Sequence, residues 1–581
     1  MIIKKNWNIL PSPEIEKIEA LKQALNIDEL ISTLLVQRGI ETFEDAKKFF
    51  RPDLNDLHDP FLMKDMDKAI ERIQNAISNK QNIMIYGDYD VDGTTSVALL
   101  YGFLSEFVNE ELLCFYIPDR YTEGYGISIT GIDIAAEKNV SLIIALDCGI
   151  RSNEKVKYAT EKNIDFIICD HHLPGEEIPA ASAVLDPKRK DCNYPFKELS
   201  GCGIGYKLIQ ALNVSLQLNK DVTKWLDLVV TSIAADIVPI TGENRILAFY
   251  GLQKINDSPR IGIQELLNVK KENAINKGNS ITAEIKKEIT ISDIVFNVAP
   301  RINAAGRIEH GKKAVELLIA ETEINALDIG KLINVNNNIR KDLDKQITAE
   351  ALEIIETNEA IKNGNSTVLY KPDWHKGVVG IVASRVIEKY YKPTIILTES
   401  NGKATGSARS VKDFDVHAAL EKCADLLEQF GGHKYAAGMT LKIENVSAFQ
   451  KRFEEVVTSS IQEYQKTPVQ EIDLEINLEQ IDSKFNRILK QFSPFGPGNM
   501  SPVFLTRNLL DEGNLRIVGN NHLKLNMVDE NGIGFPAIAF NLGEFFDPIS
   551  KNIPVDICYS IEENNWKNNT SLQLNIKDIK A

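Results

Sequence analysis

"NIMIYGDYDVDGTTSVALLYGFL", Asn82 to Leu104, decides the fold. It opens on a short apolar run, "NIMI", the pattern of a strand buried on both faces. It closes on "TTSVALLYGFL", which reads as a helix. Between them Asp88, Asp90 and Asp92 stand on alternate positions. Three carboxylates this close repel one another. Either the turn is a solvated loop, or something strongly positive sits there.

Outward from this stretch the alternation continues. "DMDKAIERIQNAISN" is an amphipathic helix on the N-terminal side. Downstream come strand "LLCFY", helix "GIDIAAEK", strand "SLIIAL", helix "NEKVKYATEK" and strand "IDFIIC", then helical segments from Gly205 to about Leu267. Short apolar runs alternating with helices predict an α/β domain built on a parallel sheet. Residues 1–50 read as a helical accessory segment and 51–309 as this domain. Residues 310–362 are helical by period, interrupted only by Gly330, and predict a long helical connector. Residues 363–462 return to strand and helix, a second α/β domain. Residues 463–581 are mostly short strands and predict a small β-barrel.

The 581 residues exceed one ordinary core. Hydrophobic content of 43% and charged content of 25% are those of a globular protein. No apolar run is long enough for a membrane span, and the N-terminus has no secretory signal pattern. Seven cysteines without CxxC spacing predict reduced thiols and a cytoplasmic location. A net charge of -16 argues against a nucleic-acid binder globally. It leaves room for a local basic groove and for an acidic site whose charge bound cations cancel.

Acidic and imidazole residues recur just after the predicted strands. Asp88, Asp90 and Asp92 follow the first; Asp147 follows "SLIIAL"; Asp170, His171 and His172 follow "IDFIIC"; Asp236 lies in "SIAADIVP". Ligands of open parallel sheets sit beyond the carboxyl ends of the strands, so these sets converge on one edge. Carboxylates with imidazole suit Mn²⁺ or Mg²⁺. Each residue also has a plainer reading, as a solvated turn, a helix cap or a surface pair. A calcium-type loop counted from Asp88 lacks its closing acid, because that position is Leu99. "DVDGT", Asp90 to Thr94, also matches the DxDGT turn of haloacid-dehalogenase-type phosphatases, whose first Asp is a nucleophile. That reading leaves Asp170, His171 and His172 unexplained.

"DYDVDG", "LDCG", "CDHH" and "AADIVP" resemble the four motifs of the DHH phosphoesterase superfamily. "RINAAGR" (301–307), "WHKGVVGIVASR" (374–385), "GSARS" (406–410) and "GGHKYAAG" (431–438) are similar to its DHHA1 half, and "FSPFGPGNMSPVF" to the start of an OB-type domain. Their order resembles that of the RecJ family of single-strand-specific 5′-to-3′ exonucleases, from about residue 50 to the C-terminus.

The resemblance implies a parallel-sheet DHH domain joined by the helical connector to a DHHA1 domain, plus an OB-like barrel. It implies two Mn²⁺ or Mg²⁺ ions held by Asp90, Asp92, Asp147, His171 and Asp236, with Asp88 in the same motif. By the same resemblance Asp147 would bridge the ions and His172 would face the scissile phosphate. Small superfamily members carry a His where this chain has Tyr86. Arg120, Ser407 and Arg409 match the family's 5′-phosphate pocket. Gly431, Gly432 and His433 would cradle the terminal nucleotide, and Arg301, Asn303 and Arg307 count among the substrate-binding residues. The expected reaction is hydrolysis of single-stranded DNA from the 5′ end to 5′-mononucleotides in repair and recombination. A monomer working beside a helicase and a single-strand-binding protein is expected. The 463–581 tail contributes no ligand, so it is expected to supply affinity for long strands and no chemistry. The alternatives are a DHH phosphodiesterase of short oligonucleotides or cyclic dinucleotides, and a non-enzymatic scaffold that has lost ligands.

Overall fold

The computed structural model describes residues 4–267, 288–566 and 569–580. The chain forms two compact units: Ser12–Asn337 with Asp482–Ser501, and Met1–Pro11 with Asn338–Ile481 and Pro502–Ala581.

The first unit is built on five parallel strands in the spatial order Leu113–Tyr116, Asn82–Gly87, Val140–Leu146, Asp165–Cys169, Ala183–Leu185. Alternate residues feed two cores, as a pleated strand requires. Ile83, Ile85, Leu142, Ile144 and Ile167 pack on one face with helices Val91–Ser105, Gly201–Ser215 and Leu226–Ala235. Met84, Tyr86, Ile143, Ala145, Phe166 and Ile168 pack on the other with Ile129–Glu137 and Asn153–Glu161. In chain order the strands run 2-1-3-4-5. The order therefore reverses between Asn82–Gly87 and Val140–Leu146, and a crevice opens beyond their carboxyl ends. The fifth strand, Ala183–Leu185, is too short to be read from its pattern. The helix after the aspartates begins at Val91 rather than Thr94, because Asp90 caps it by accepting from the Gly93 amide at 3.0 Å.

Helix Glu323–Thr357 runs unbroken through Gly330. A Cβ at Gly330 would lie 2.4 Å from Glu265 Cγ, so that glycine serves a close contact and not a break. The interruptions fall instead after Leu318 and at Asn358, which caps Glu359–Asn363.

In the second unit a mixed sheet has the order Gln429–His433, Ala436–Leu441, Lys403–Arg409, Thr394–Ser400, Thr367–Tyr370, with only the last pair parallel. The tail forms a ring. Phe504–Asp511 pairs with both Val555–Trp566 and His522–Val528, and Asn569–Lys580 and Gly534–Ala539 complete five strands. This is the closed barrel expected of an OB-type domain.

Two expectations need correcting. The accessory segment is not all helical: Asn6–Ile9 is a strand parallel to Val469–Ile472. A four-residue strand so far from its partner in sequence leaves no local signal. The tail is also not all barrel. Its segment Asp482–Ser501, with helix Ser483–Lys490, packs in the first unit.

Candidate metal centre

The strand ends bring the predicted acids together. Asp147 follows Val140–Leu146 at φ +59°, with its amide on Cys169 O at 2.9 Å. Its Oδ1 lies 3.2 Å from His171 Nε2. The same Nε2 is 3.7 Å from Asp92 Oδ2 and 3.6 Å from Asp236 Oδ2. Ligand atoms of Asp147, His171 and His172 form one set within 4.8 Å, and those of Asp92, His171 and Asp236 a second. Neither set includes Asp88 or Asp90. Both are nonetheless held by the same turn, Asp88 by accepting from the Gly126 amide at 3.2 Å and Asp90 by capping.

Asp92 is fixed from a distance. It accepts from the amides of Gly201 (2.7 Å) and Cys202 (2.8 Å) at the N-terminus of a 15-residue helix, and from Ser232 Oγ (2.7 Å). Helix N-termini favour such anions. A Cβ on Gly201 would sit 2.7 Å from Asp147 Cβ, so a glycine lets that helix end reach both aspartates. Asp170 is used up in orienting its neighbours. It accepts from the amides of Ile150, His171 and His172 and from His172 Nδ1 at 2.8 Å. Tyr86 is no ligand: it is fully buried and donates to Gly126 O at 3.0 Å.

The electrostatics are those of a site awaiting positive charge. Burial pushes Asp147 well above the usual carboxylate range, and Asp92, Asp90, Asp236 and Asp170 add to it. Burial also raises Asp88 and Asp90, and it lifts Asp236 to about 8. Burial lowers His171. His172 is pushed down by burial, but its bond to Asp170 prevails and holds it at about 9; Asp170, raised by burial, is in turn held at about 2. Asp88 Oδ2, Asp147 Oδ1 and both ring nitrogens of His171 are buried without a hydrogen-bond partner. Buried polar atoms are rarely left so. Hard oxygen donors with one imidazole fit a divalent cation such as Mn²⁺ or Mg²⁺.

The other predicted residues fall in two places. Arg120 lies in the first unit with Cζ 4.7 Å above the Tyr89 ring, in the middle of "DYDVDG". Arg301, Asn303 and Arg307 lie on helix Ala299–Ile308, whose Gly306 packs against the Tyr89 backbone. Arg301 is buried and donates to Asn334 Oδ1 at 3.0 Å and to Asn297 O. In the second unit Arg409 Nη1 donates to Ser407 Oγ and to Ala408 O, both at 2.8 Å. A Cβ on Gly380 would approach both side chains to 3.1 Å, so a glycine of "GVVGIVASR" leaves room for them. Gly431, Gly432 and His433 are exposed on the edge strand. Trp374 is buried and donates to Glu350 at 2.8 Å.

Sequence reasoning missed several supports. Asp186 closes the fifth strand, fully buried, and burial raises it to about 7. The amides of Gly201 and Cys202 carry no side-chain signal. The tail also touches the loop that follows Asp236: Pro497 O accepts from the Ile240 amide at 2.7 Å.

Family models match three stretches: the DHH family, N-terminal domain, at 82–233; the DHHA1 domain at 363–459; and the RecJ OB domain at 472–578. The chain is 38% identical to the single-stranded-DNA-specific exonuclease RecJ of Bacillus subtilis, over 99% of this chain and 71% of that protein. It is 32% identical to the RecJ exonuclease of Dickeya dadantii, over 95% and 96%. The crystal structure of Thermus thermophilus RecJ in complex with Mn²⁺ superposes with a TM-score of 0.81 at 25% identity, covering 99% of this chain and 79% of that one. A second structure of the same protein, with Mg²⁺, gives 0.75 at 24%.

Proposed function

Because the chain belongs to the RecJ family of single-stranded-DNA-specific exonucleases, we propose that its own carboxylate–histidine centre hydrolyses single-stranded DNA stepwise from the 5′ end, in DNA repair and recombination. The observation that carries this reading is the pair of ligand sets sharing His171, with Asp147 Oδ1, in the first of them, buried and unsatisfied.

Asp90, Asp92, Asp147, His171 and Asp236 would hold Mn²⁺ or Mg²⁺, with Asp88 beside them. Bound there, the ions supply a Lewis acid for the phosphodiester and a nucleophilic water at neutral pH. The residues do the rest. Asp170 fixes His172 by its Nδ1, leaving Nε2 turned outward, where Tyr125 Oη lies 3.3 Å away. Held near 9, the imidazolium carries a proton at neutral pH and can donate it to the oxygens on which charge grows. No covalent intermediate on the protein is required.

Residues 51–309 carry this chemistry in our reading, and 363–462 define the 5′ end. Arg409 beside Ser407 offers a guanidinium fork suited to a terminal phosphate. The barrel in 463–581 is a stacking platform for the downstream strand. Partners in this reading are a helicase and a single-strand-binding protein, the enzyme itself a monomer. No helix among the described residues is long and apolar enough to cross a membrane.

Digestion of end-labelled single strands and duplexes with Mn²⁺, Mg²⁺ or EDTA tests the reading. The 5′ label should leave first, as a mononucleotide, from single strands and only with metal. Release of the 3′ label first, equal attack on duplex, or activity on dinucleotides alone would overturn it.

A further inference from the structure

Helix Leu226–Ala235 ends on Asp236, and Ile237 follows at φ +60°. A helix that stops in this way ordinarily places glycine or asparagine at that position. A β-branched residue there is strained, because its Cβ crowds the neighbouring carbonyl. Burial does not compensate, since Ile237 is 64% exposed. Backbone strain of this kind concentrates where a side chain has work to do.

The position supports that view. Ile237 directly follows Asp236, whose Oδ2 is 3.6 Å from His171 Nε2. Leu173 directly follows His172 and is 66% exposed, while its carbonyl is fixed by Arg151 Nε at 2.8 Å. Two backbone positions beside the acidic centre, one in the left-handed region and one fixed through its carbonyl, thus leave aliphatic side chains in solvent. Phosphate finds no partner in such groups, and water gains nothing from them. The face of a nucleobase suits them, and every base has one. Apolar side chains of this type are used elsewhere to part neighbouring bases.

Resting on the nuclease reading above, we propose that Ile237, with Leu173, packs on the nucleobase beside the scissile phosphate and so holds the phosphodiester over the carboxylates without reading sequence. Ile237→Asn and Ile237→Gly both fit the left-handed backbone. Each is expected to keep the wild-type Tm or raise it by about 2–4 °C. Each should cut kcat/KM on single strands about tenfold, the order of one lost base-packing contact, chiefly through KM. Ile237→Val, which keeps the branched apolar contact, should recover most of that loss. Strands with abasic residues on both sides of the first scissile phosphate identify what is touched. The wild type should lose about tenfold on them, and Ile237→Asn should lose nothing further. A Tm several degrees lower in both variants would assign Ile237 to the fold and overturn the proposal. So would an abasic penalty equal in wild type and variant. The nuclease reading fails separately, if wild type shows no metal-dependent cleavage of single strands or Asp147→Asn retains it.

Discussion

Asp147 concentrates the conflict of the centre in one side chain: buried, in the left-handed region, and facing His171 with an unpaired oxygen. Its charge is unfavourable without a cation, so Asp147→Asn should unfold no earlier than wild type in EDTA. Mn²⁺ should raise the Tm of wild type by mass action and leave that of the variant almost unmoved. Cleavage by the variant should fall to background. Activity near wild type, or an equal Mn²⁺ shift, would remove Asp147 from the ligand set. Arg409 makes the second residue-scale prediction. A charge-assisted contact of about 1.5–3 kcal/mol with a terminal phosphate means that Arg409→Ala should lose tens of fold in kcat/KM on 5′-phosphorylated strands. It should lose much less on 5′-hydroxyl strands. Equal losses on both would make it a general backbone contact. These residues were legible because each sits in a short motif. The supports of Asp92 were not: the amides of Gly201 and Cys202 lie more than a hundred residues away and have no side-chain signature.

At the scale of elements, strand ends were the most readable feature. Buried parallel strands announce themselves as apolar runs, and the residue after each run is placed by the sheet itself. Gly330 was misread because a glycine inside a helix signals either a break or a close approach, and only the neighbouring Glu265 tells which. The long helix also carries a pH-dependent contact. Glu350 accepts from Lys371 Nζ at 2.7 Å and from Trp374 Nε1 at 2.8 Å. Bonds to Lys371, then Trp374 and Gln346, hold its carboxyl at about 2, below its ordinary 4.5. A carboxyl lowered by folding stabilises above its unfolded value and loses that contribution as pH falls through its folded one. The Tm deficit of Glu350→Gln should therefore be full above about pH 4.5 and shrink towards pH 2. A deficit constant across that range would show that Glu350 contributes no charge to this contact.

The whole molecule departs most from a row of independent domains. Arg245, which is buried, donates to Phe49 O (2.9 Å), Phe492 O (2.9 Å) and Ser493 O (3.0 Å). One guanidinium thus ties an N-terminal helix and the "FSPFGPGN" turn to the unit that bears the metal centre. The turn also supports the loop after Asp236. A Cβ on Gly498, at φ +75°, would lie 2.9 Å from Thr241 Cγ2. Gly498→Ala should therefore cost about 1–2 kcal/mol of stability and lower kcat even on very short strands that never reach the barrel. A defect seen only as raised KM on long strands would restore the tail to a purely binding role. The parallel pairing of Asn6–Ile9 with Val469–Ile472 bears on biosynthesis. During translation that strand leaves the ribosome about 460 residues before its partner, on the order of a minute at ordinary elongation rates. For that interval its unpaired edge is open to other chains, so a fusion placed just before it is best judged by yield of monodisperse protein rather than by expression alone.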